Sequence, residues 1–375
     1  MGIEMKFIGA VLILSGMIIG AGIFAIPFSF VRAGFFIGMA ELAVLTAVVV
    51  VLHRAYGEIV LATENSHRLP GYVRLYLGRR FAAAAHLSAF FGMSGTLLAY
   101  VVLGGHFLHT IIPAVSATRW TFLFLTAGAL ITFLPRRKEA LVNGILTAVL
   151  IIFIFTVSIW LMPRIEANNF FGVHPGELFV PYGVLLFALS GALVIPDMVS
   201  FLGRRERQVR AAITAGSLIP VALYGLFAIA VVGAAGADVS EEAIAGLGRI
   251  AGSGMVMIGS GIGFLAVFTS FILLSSSFQA FLHLDFKMSK SWAHPIVSFL
   301  PAFLYILGAQ NFIAIVAAVG AVAIGADAAF ILAAERALKK SRRGHLSRWS
   351  YVWSGGVYCM IAAGITYQVY AFIFL

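Results

Sequence analysis

Eleven apolar runs, most of them twenty residues or longer, fill this chain and leave only short connections between them. They lie at 6–31, 35–62, 83–113, 119–135, 139–162, 178–201, 209–235, 254–284, 293–309, 311–336 and 350–374. A helix of about 20 apolar residues crosses roughly 30 Å of hydrocarbon. A soluble fold could not cover so much apolar surface. Of the 375 residues, 61% are hydrophobic and 11% charged, against about 45–50% and about 25% in soluble domains. The chain therefore reads as an all-α integral membrane protein, a single transmembrane domain over 1–375 whose solvent is the lipid bilayer. The first run is longer than the roughly 7–15 residues of a signal-peptide core, so it is expected to remain as a helix.

Loop charge orients the runs. On one side lie 21 of the 25 Lys and Arg residues, among them Arg54, Arg136, Arg137, Lys138, Arg204, Arg210, Lys287 and Lys339. The other side holds only Arg32, Arg119, Arg164 and Arg249. Basic loops stay in the cytoplasm, which puts the N-terminus inside and the C-terminus outside. Basic residues confined to short loops match a membrane surface, and no nucleic-acid partner is expected. Cys359, the single cysteine, leaves no intrachain disulfide framework. The segment 238–251 is expected to form a short external helical cap, and 68–80 a cytoplasmic amphipathic segment.

Two runs carry the same interruption. Gly22-Ile23-Phe24-Ala25-Ile26-Pro27 in the first and Gly191-Ala192-Leu193-Val194-Ile195-Pro196 in the sixth both read G-x-x-x-I-P. Proline removes a backbone donor and glycine tolerates unusual dihedrals, so both favour local unwinding. In lipid, unwound backbone survives only when it is buried in protein or lines a cavity. One such site would read as a packing kink. Two, five spans apart and so antiparallel, match an inverted repeat in which each half gives one broken helix to a midplane site. The repeats fall at 6–162 and 178–337, with an extra helix at 350–374. Freed N–H groups at a half-helix N-terminus attract a carboxylate. Freed carbonyls attract an ammonium group or Na⁺, and an amino acid zwitterion presents both charges.

At these residues the sequence resembles the amino acid–polyamine–organocation superfamily, with its LeuT-like five-plus-five inverted-repeat fold. It most resembles the tryptophan/tyrosine permease family. Ile18-Ile19-Gly20-Ala21-Gly22 through Pro27 is similar to that family's glycine-rich first helix, and Phe187-Ala188-Leu189-Ser190-Gly191 to its broken sixth helix. Thr269-Ser270-Phe271 with Asp285-Phe286 resembles its eighth. The sixth helix departs from the pattern in lacking a Gly-Phe-His run. The resemblance implies a secondary transporter of neutral, aromatic or hydroxylated amino acids, working by alternating access in the cell membrane. Its substrate carboxylate would meet backbone N–H groups around Gly20, Ala21, Gly22 and Ile23. The ammonium would meet carbonyls of Phe187, Ala188 and Ser190, next to Gly191. Tyr100 would cover the site, unless it is an ordinary packing residue, and Phe187 is a candidate gate.

The resemblance also implies a coupling ion. Ala266, Thr269 and Ser270 share one face of the eighth helix, and sodium prefers such oxygens. In sodium-coupled members of the fold, carbonyls equivalent to those of Gly16 and Ile19 complete the site. Hydroxyls that merely bond neighbouring helices are the plainer reading. Proton coupling or uncoupled exchange are the alternatives; some proton-coupled relatives use a fifth-helix lysine that 139–163 lacks. Intramembrane acids are functional candidates by default. Asp327, Glu41 and Asp197 are therefore candidate gates or proton relays, whereas Glu58 and Glu335 read as ion pairs. Gly259-x-Gly261-x-Gly263 lies inside an apolar helix and suggests close packing. His106 and His109 lack a third metal ligand nearby. No enzyme chemistry and no cofactor other than the coupling Na⁺ are expected. A transporter of another small solute or a non-translocating sensor are the remote alternatives.

Overall fold

A computed structural model describes residues 3–65, 67–132, 139–343 and 348–374. All regular structure among them is helical. In chain order the α-helices are α1 (Ile3–Ile18), α2 (Gly22–Ala33), α3 (Phe35–Ala62), α4 (Leu69–Leu77), α5 (Arg79–Ile111), α6 (Ala117–Ile131), α7 (Glu139–Leu161) and α8 (Val180–Leu189). They continue as α9 (Ile195–Phe201), α10 (Glu206–Ala235), α11 (Gly248–Leu284), α12 (Lys290–Ile306), α13 (Phe312–Ala318), α14 (Gly325–Arg343) and α15 (Arg348–Phe374). Every expected run is built of helix where it is described, and the first and sixth are interrupted after Ile18 and after Leu189. Among the described residues, seven helical segments are long and apolar enough to cross a membrane, and α1 with α2, bent by 54°, make an eighth. Ala117–Ile131 and Ser291–Ile306 are apolar but shorter. Arg136, Arg137 and Lys138, and the end of the run at 119–135, lie outside the described residues.

Large apolar side chains such as Leu12, Leu87, Ile152 and Phe299 stand outward, each at least 64% exposed. Exposed apolar surface on this scale marks a face made for lipid rather than water. Inside, α2 packs on α8, and α10 packs on α1, α2 and α3. One contact among these follows from a single proline. Pro220 lies inside α10 and has no N–H to give the carbonyl four residues earlier. That carbonyl belongs to Gly216, and it accepts the Ser15 hydroxyl of α1 at 3.0 Å.

The tenth run is not one regular helix. Between α13 and α14, residues Val319–Ile324 form a π-helical segment, a form that commonly marks functional sites. Here it meets α8 backbone to backbone. A Cβ on Gly320 would lie 1.8 Å from the Gly183 carbonyl oxygen, and one on Gly183 would lie 2.3 Å from that of Ala317. The glycine pattern in α11 is likewise a packing feature. Gly259 faces Phe153, and Gly263 faces Phe107 and Phe24.

The segment expected to form a cap is less continuous than a helix. It holds the end of one 3-10 turn (Gly236–Asp238), a second (Ala245–Leu247) and the start of α11, which kinks at Gly252 (φ 75°). α4 supplies the amphipathic segment, burying Pro70, Tyr72 and Val73 while Leu75 stands exposed. On the basic side, Arg204 donates to the carbonyls of Val60 and Leu61 (2.8 Å each) and of Thr63 (2.5 Å). It thereby caps α3 from the end of α9. Glu58 pairs with Arg210 at 3.1 Å, and Glu335 with Lys339. His109 lies within 2.8 Å of the Val115 carbonyl, a hydrogen bond rather than a metal contact.

Candidate substrate and ion site

The first break covers Ile19, Gly20 and Ala21. After the last helical bond, Ile19 N–H to Ser15 O at 2.8 Å, the chain restarts with weaker bonds. These run from Ile23 N–H to Gly20 O (3.3 Å) and from Phe24 N–H to Ala21 O (3.2 Å). Among the described residues no bond takes the N–H of Gly20 or Ala21, whereas that of Ile23 is already engaged. Of the expected donors Gly20 to Ile23, that of Ile23 is thus taken, while those of Gly20, Ala21 and Gly22 have no partner among the described residues. They lie at the N-terminal end of α2, where the helix dipole favours a negative group.

The second break runs from Ser190 to Val194. Ser190 is extended (φ −69°, ψ 120°), and Ala192–Val194 make a 3-10 turn. Pro196 falls in the first turn of α9, where its missing N–H leaves no gap. The Phe187 carbonyl accepts Ser190 N–H at 3.3 Å. The Ala188 carbonyl accepts the Tyr224 hydroxyl at 3.0 Å. Of the three carbonyls expected to hold an ammonium group, Ser190's is therefore the one without a partner among the described residues.

The two breaks touch. A Cβ on Gly22 would lie 2.7 Å from Ala188 Cα and 2.8 Å from its Cβ. Gly191 is closed in by Leu14 and Ile18, at 2.7 and 2.8 Å. Gly16 and Gly20 differ: a Cβ on either meets nothing within 4 Å. The glycines of the motif therefore divide into two that allow contact and two that border open space. Phe24 and Phe107 meet edge to face at 5.0 Å nearby. Phe187 is half-buried, as is Tyr100, whose phenol lies close enough to that of Tyr224 to interact electrostatically.

Two site residues were missed in the sequence. Tyr224 of α10 is fully buried, and its hydroxyl lies 2.6 Å from the Ile18 carbonyl as well as 3.0 Å from that of Ala188. It links the two breaks. His53 of α3, also buried, accepts Gly191 N–H at Nε2 (3.3 Å). Its Nδ1 lies 3.0 Å from Ser217 Oγ. With Nε2 accepting, Nδ1 carries the proton and donates to the serine; the tautomer is assigned from this network.

In the ion region, Thr269 Oγ1 lies 3.2 Å from both the Ala266 carbonyl and Asn143 Oδ1. Ser270 Oγ lies 3.3 Å from the same Asn143 oxygen. The fifth run thus brings an amide oxygen to this place, from a residue that no motif in the sequence marks. α7, which carries Asn143, packs against both α11 and α1, the helix that holds Gly16.

The acids part company. Asp327 Oδ1 accepts the Ser88 hydroxyl at 2.9 Å, and that hydroxyl also lies 3.0 Å from the Ala323 carbonyl of the π segment. Asp197 is exposed in the first turn of α9. Glu41 Oε2 is buried without a hydrogen-bond partner among the described residues.

Two broken helices meeting backbone to backbone inside a many-helix apolar bundle define a multi-pass membrane protein of LeuT-like fold. The structure of MhsT in complex with L-phenylalanine superposes on 96% of this chain and 97% of its own, with a TM-score of 0.68 at 14% identity. That of the Eremococcus coleocola manganese transporter covers 98% and 88%, at 0.70 and 10%. The chain belongs to the tryptophan/tyrosine permease family, whose profile matches residues 3–373. Similar relatives include a tryptophan-specific transport protein of Shigella flexneri, 24% identical over 61% of this chain. Another is tyrosine-specific transport system 1 of Haemophilus influenzae, 24% identical over 59%. The matches span just over half of these relatives' own lengths, 58% and 56%.

Proposed function

We propose that the protein is a secondary transporter of aromatic amino acids in the cell membrane, with its N-terminus inside and its C-terminus outside. The contact of Gly22 with Ala188 carries this reading. It brings the free N–H groups of Gly20 and Ala21 close to the second break, where the Ser190 carbonyl has no partner. A zwitterion fits between a positive helix end and a bare carbonyl. The tryptophan- and tyrosine-specific relatives, and the phenylalanine bound to MhsT, favour an aromatic side chain. Phe24, Phe107, Phe187 and Tyr100 supply ring surface for it. A metal ion as cargo is disfavoured, because Gly-Ala-Gly and Ser-Gly-Ala offer neither acid nor thioether.

Alternating access follows if the helices bearing the breaks, α1–α2 and α8–α9, rock with α3 and α10 against the remainder. Na⁺ is the coupling ion in this reading. It would be held by the Ala266 carbonyl, Thr269, Ser270 and Asn143 Oδ1, a set of neutral oxygens suited to a hard cation, together with the first-helix carbonyls of Gly16 and Ile19. The part-buried Asp327–Ser88 pair within the spans favours a second reading, proton coupling.

Uptake of labelled tryptophan, tyrosine and phenylalanine into proteoliposomes, under sodium or pH gradients, tests both. Uptake is expected under an inward sodium gradient. No flux under any gradient, with no thermal stabilisation by any amino acid, would sink the transporter reading; flux driven by pH alone would move the coupling to protons. Thr269→Ala and Asn143→Ala are each expected to raise the half-saturating sodium concentration about 10–100-fold. An unchanged sodium dependence in both would remove the ion from this place.

A further inference from the structure

Two buried side chains are aimed at the breaks from helices that do not themselves break. We propose that Tyr224 and His53 are positioning residues of the amino acid site, which rests on reading the breaks as that site. Tyr224 holds the C-terminal ends of α1 and α8 together. His53 holds Gly191, the residue after the extended Ser190.

The need for each follows from the polarity of the backbone. Ile18 is the last residue of α1, and Ala188 lies in the last turn of α8. Carbonyls in a last turn lack intrahelical donors and form the negative end of the helix. Two such ends brought together repel, and in a site shielded from water the repulsion is poorly screened. The Tyr224 hydroxyl lies within hydrogen-bonding distance of both carbonyls, at 2.6 and 3.0 Å. Its single proton is shared between them, with the shorter contact to Ile18, and so offsets their repulsion without adding a net charge. It also uses acceptor capacity on Ala188, so the carbonyl of Ser190 is left as the bare acceptor for a substrate ammonium group.

Gly191 poses the opposite problem. Its N–H is a donor in a buried stretch without a helical partner, and a buried unpaired donor is strongly disfavoured. His53 Nε2 accepts it, and the Ser217 hydroxyl on α10 orients the ring through Nδ1. α3 and α10 pack against each other, and Ser15 ties α1 to α10 through Gly216. Both breaks therefore hang from one support.

The test compares the full-length protein with Tyr224→Phe, which keeps the ring and loses only the hydroxyl. Amide hydrogen exchange is read over 14–24 and 186–196, together with equilibrium binding of L-tryptophan and L-tyrosine and transport kinetics. In the variant, exchange is expected to rise about tenfold in both breaks and little elsewhere. Kd and KM are expected to rise about tenfold with turnover nearly unchanged, since fewer molecules hold the competent arrangement. Unchanged affinity and exchange would overturn the proposal. So would a rise spread over the whole molecule, or confined to one break.

His53→Gln, which retains an acceptor, should keep more affinity than His53→Leu; equal loss counts against His53. If Tyr224→Phe does not fold, the wild-type protein still decides. Its Gly191 amide is expected to be protected although it lies outside regular helix, and exchange at the rate of an open loop would overturn the proposal. Wild-type protein that binds no amino acid would instead undo the substrate reading, while the exchange pattern of the breaks remains readable.

Discussion

Leucine in place of Gly22 is expected to abolish amino acid binding and to lower the thermal midpoint of the detergent-solubilised protein. The added Cβ alone would sit 2.7 Å from Ala188 Cα and 3.3 Å from its N. These are backbone atoms and cannot swing aside, so the two breaks must separate. Overpacking typically costs about 1–3 kcal/mol, and here the displacement falls on the binding geometry itself. Gly20→Ala is the informative contrast, because its methyl meets nothing within 4 Å. That variant should keep its thermal midpoint and lose affinity, since the methyl enters the space beside the free N–H groups of Gly20 and Ala21. Thermal shift and ligand titration on both proteins check this. Equal midpoints for the two would show that contact between the breaks is not what Gly22 provides.

The second large effect is expected at Gly320→Ala, which should prevent accumulation of folded protein or lower its midpoint sharply. Its Cβ would fall 1.8 Å from the Gly183 carbonyl oxygen and 2.9 Å from Phe187 N. One methyl group would push the π segment off α8, the helix that leads into the second break. A loss at or above the upper end of the usual range, about 3 kcal/mol, is expected. Gly325→Ala, one turn on, is the control. Its Cβ would meet the Ile361 side chain at 3.4 Å, an ordinary contact. Size-exclusion profiles and thermal midpoints of both variants decide the matter. If Gly320→Ala behaves like Gly325→Ala, the close crossing of α8 and the π segment carries no stability.

The breaks were legible in the sequence because glycine and proline act locally on their own backbone. The partners that satisfy them were not. His53 and Tyr224 belong to no motif in their helices, where such residues ordinarily pack or bond a neighbour. Their partners are backbone groups 138 and 206 residues away in the chain. Asn143 was hidden for a different reason: a single amide in an apolar run forms no motif, and its partners Thr269 and Ser270 lie 126 and 127 residues away in the chain. The π segment left no mark in composition, since it depends on how closely Gly183 and Gly320 approach. The same limit applied to the motif glycines. Spacing alone does not separate Gly22, pressed against Ala188, from Gly20, which faces open space.

The tether of both breaks to α3 and α10 has a thermodynamic consequence. Unwound backbone that ordered only around its ligand would charge its conformational entropy against affinity, at about 1–2 kcal/mol per residue. Here the Gly191 N–H and the Ala188 and Ile18 carbonyls have partners before any ligand arrives. That ordering is set against the folding free energy instead. In the proposed transporter, an amino acid would meet a prearranged cradle, and its binding free energy would be available for choosing among side chains and for shifting the balance between inward- and outward-facing states.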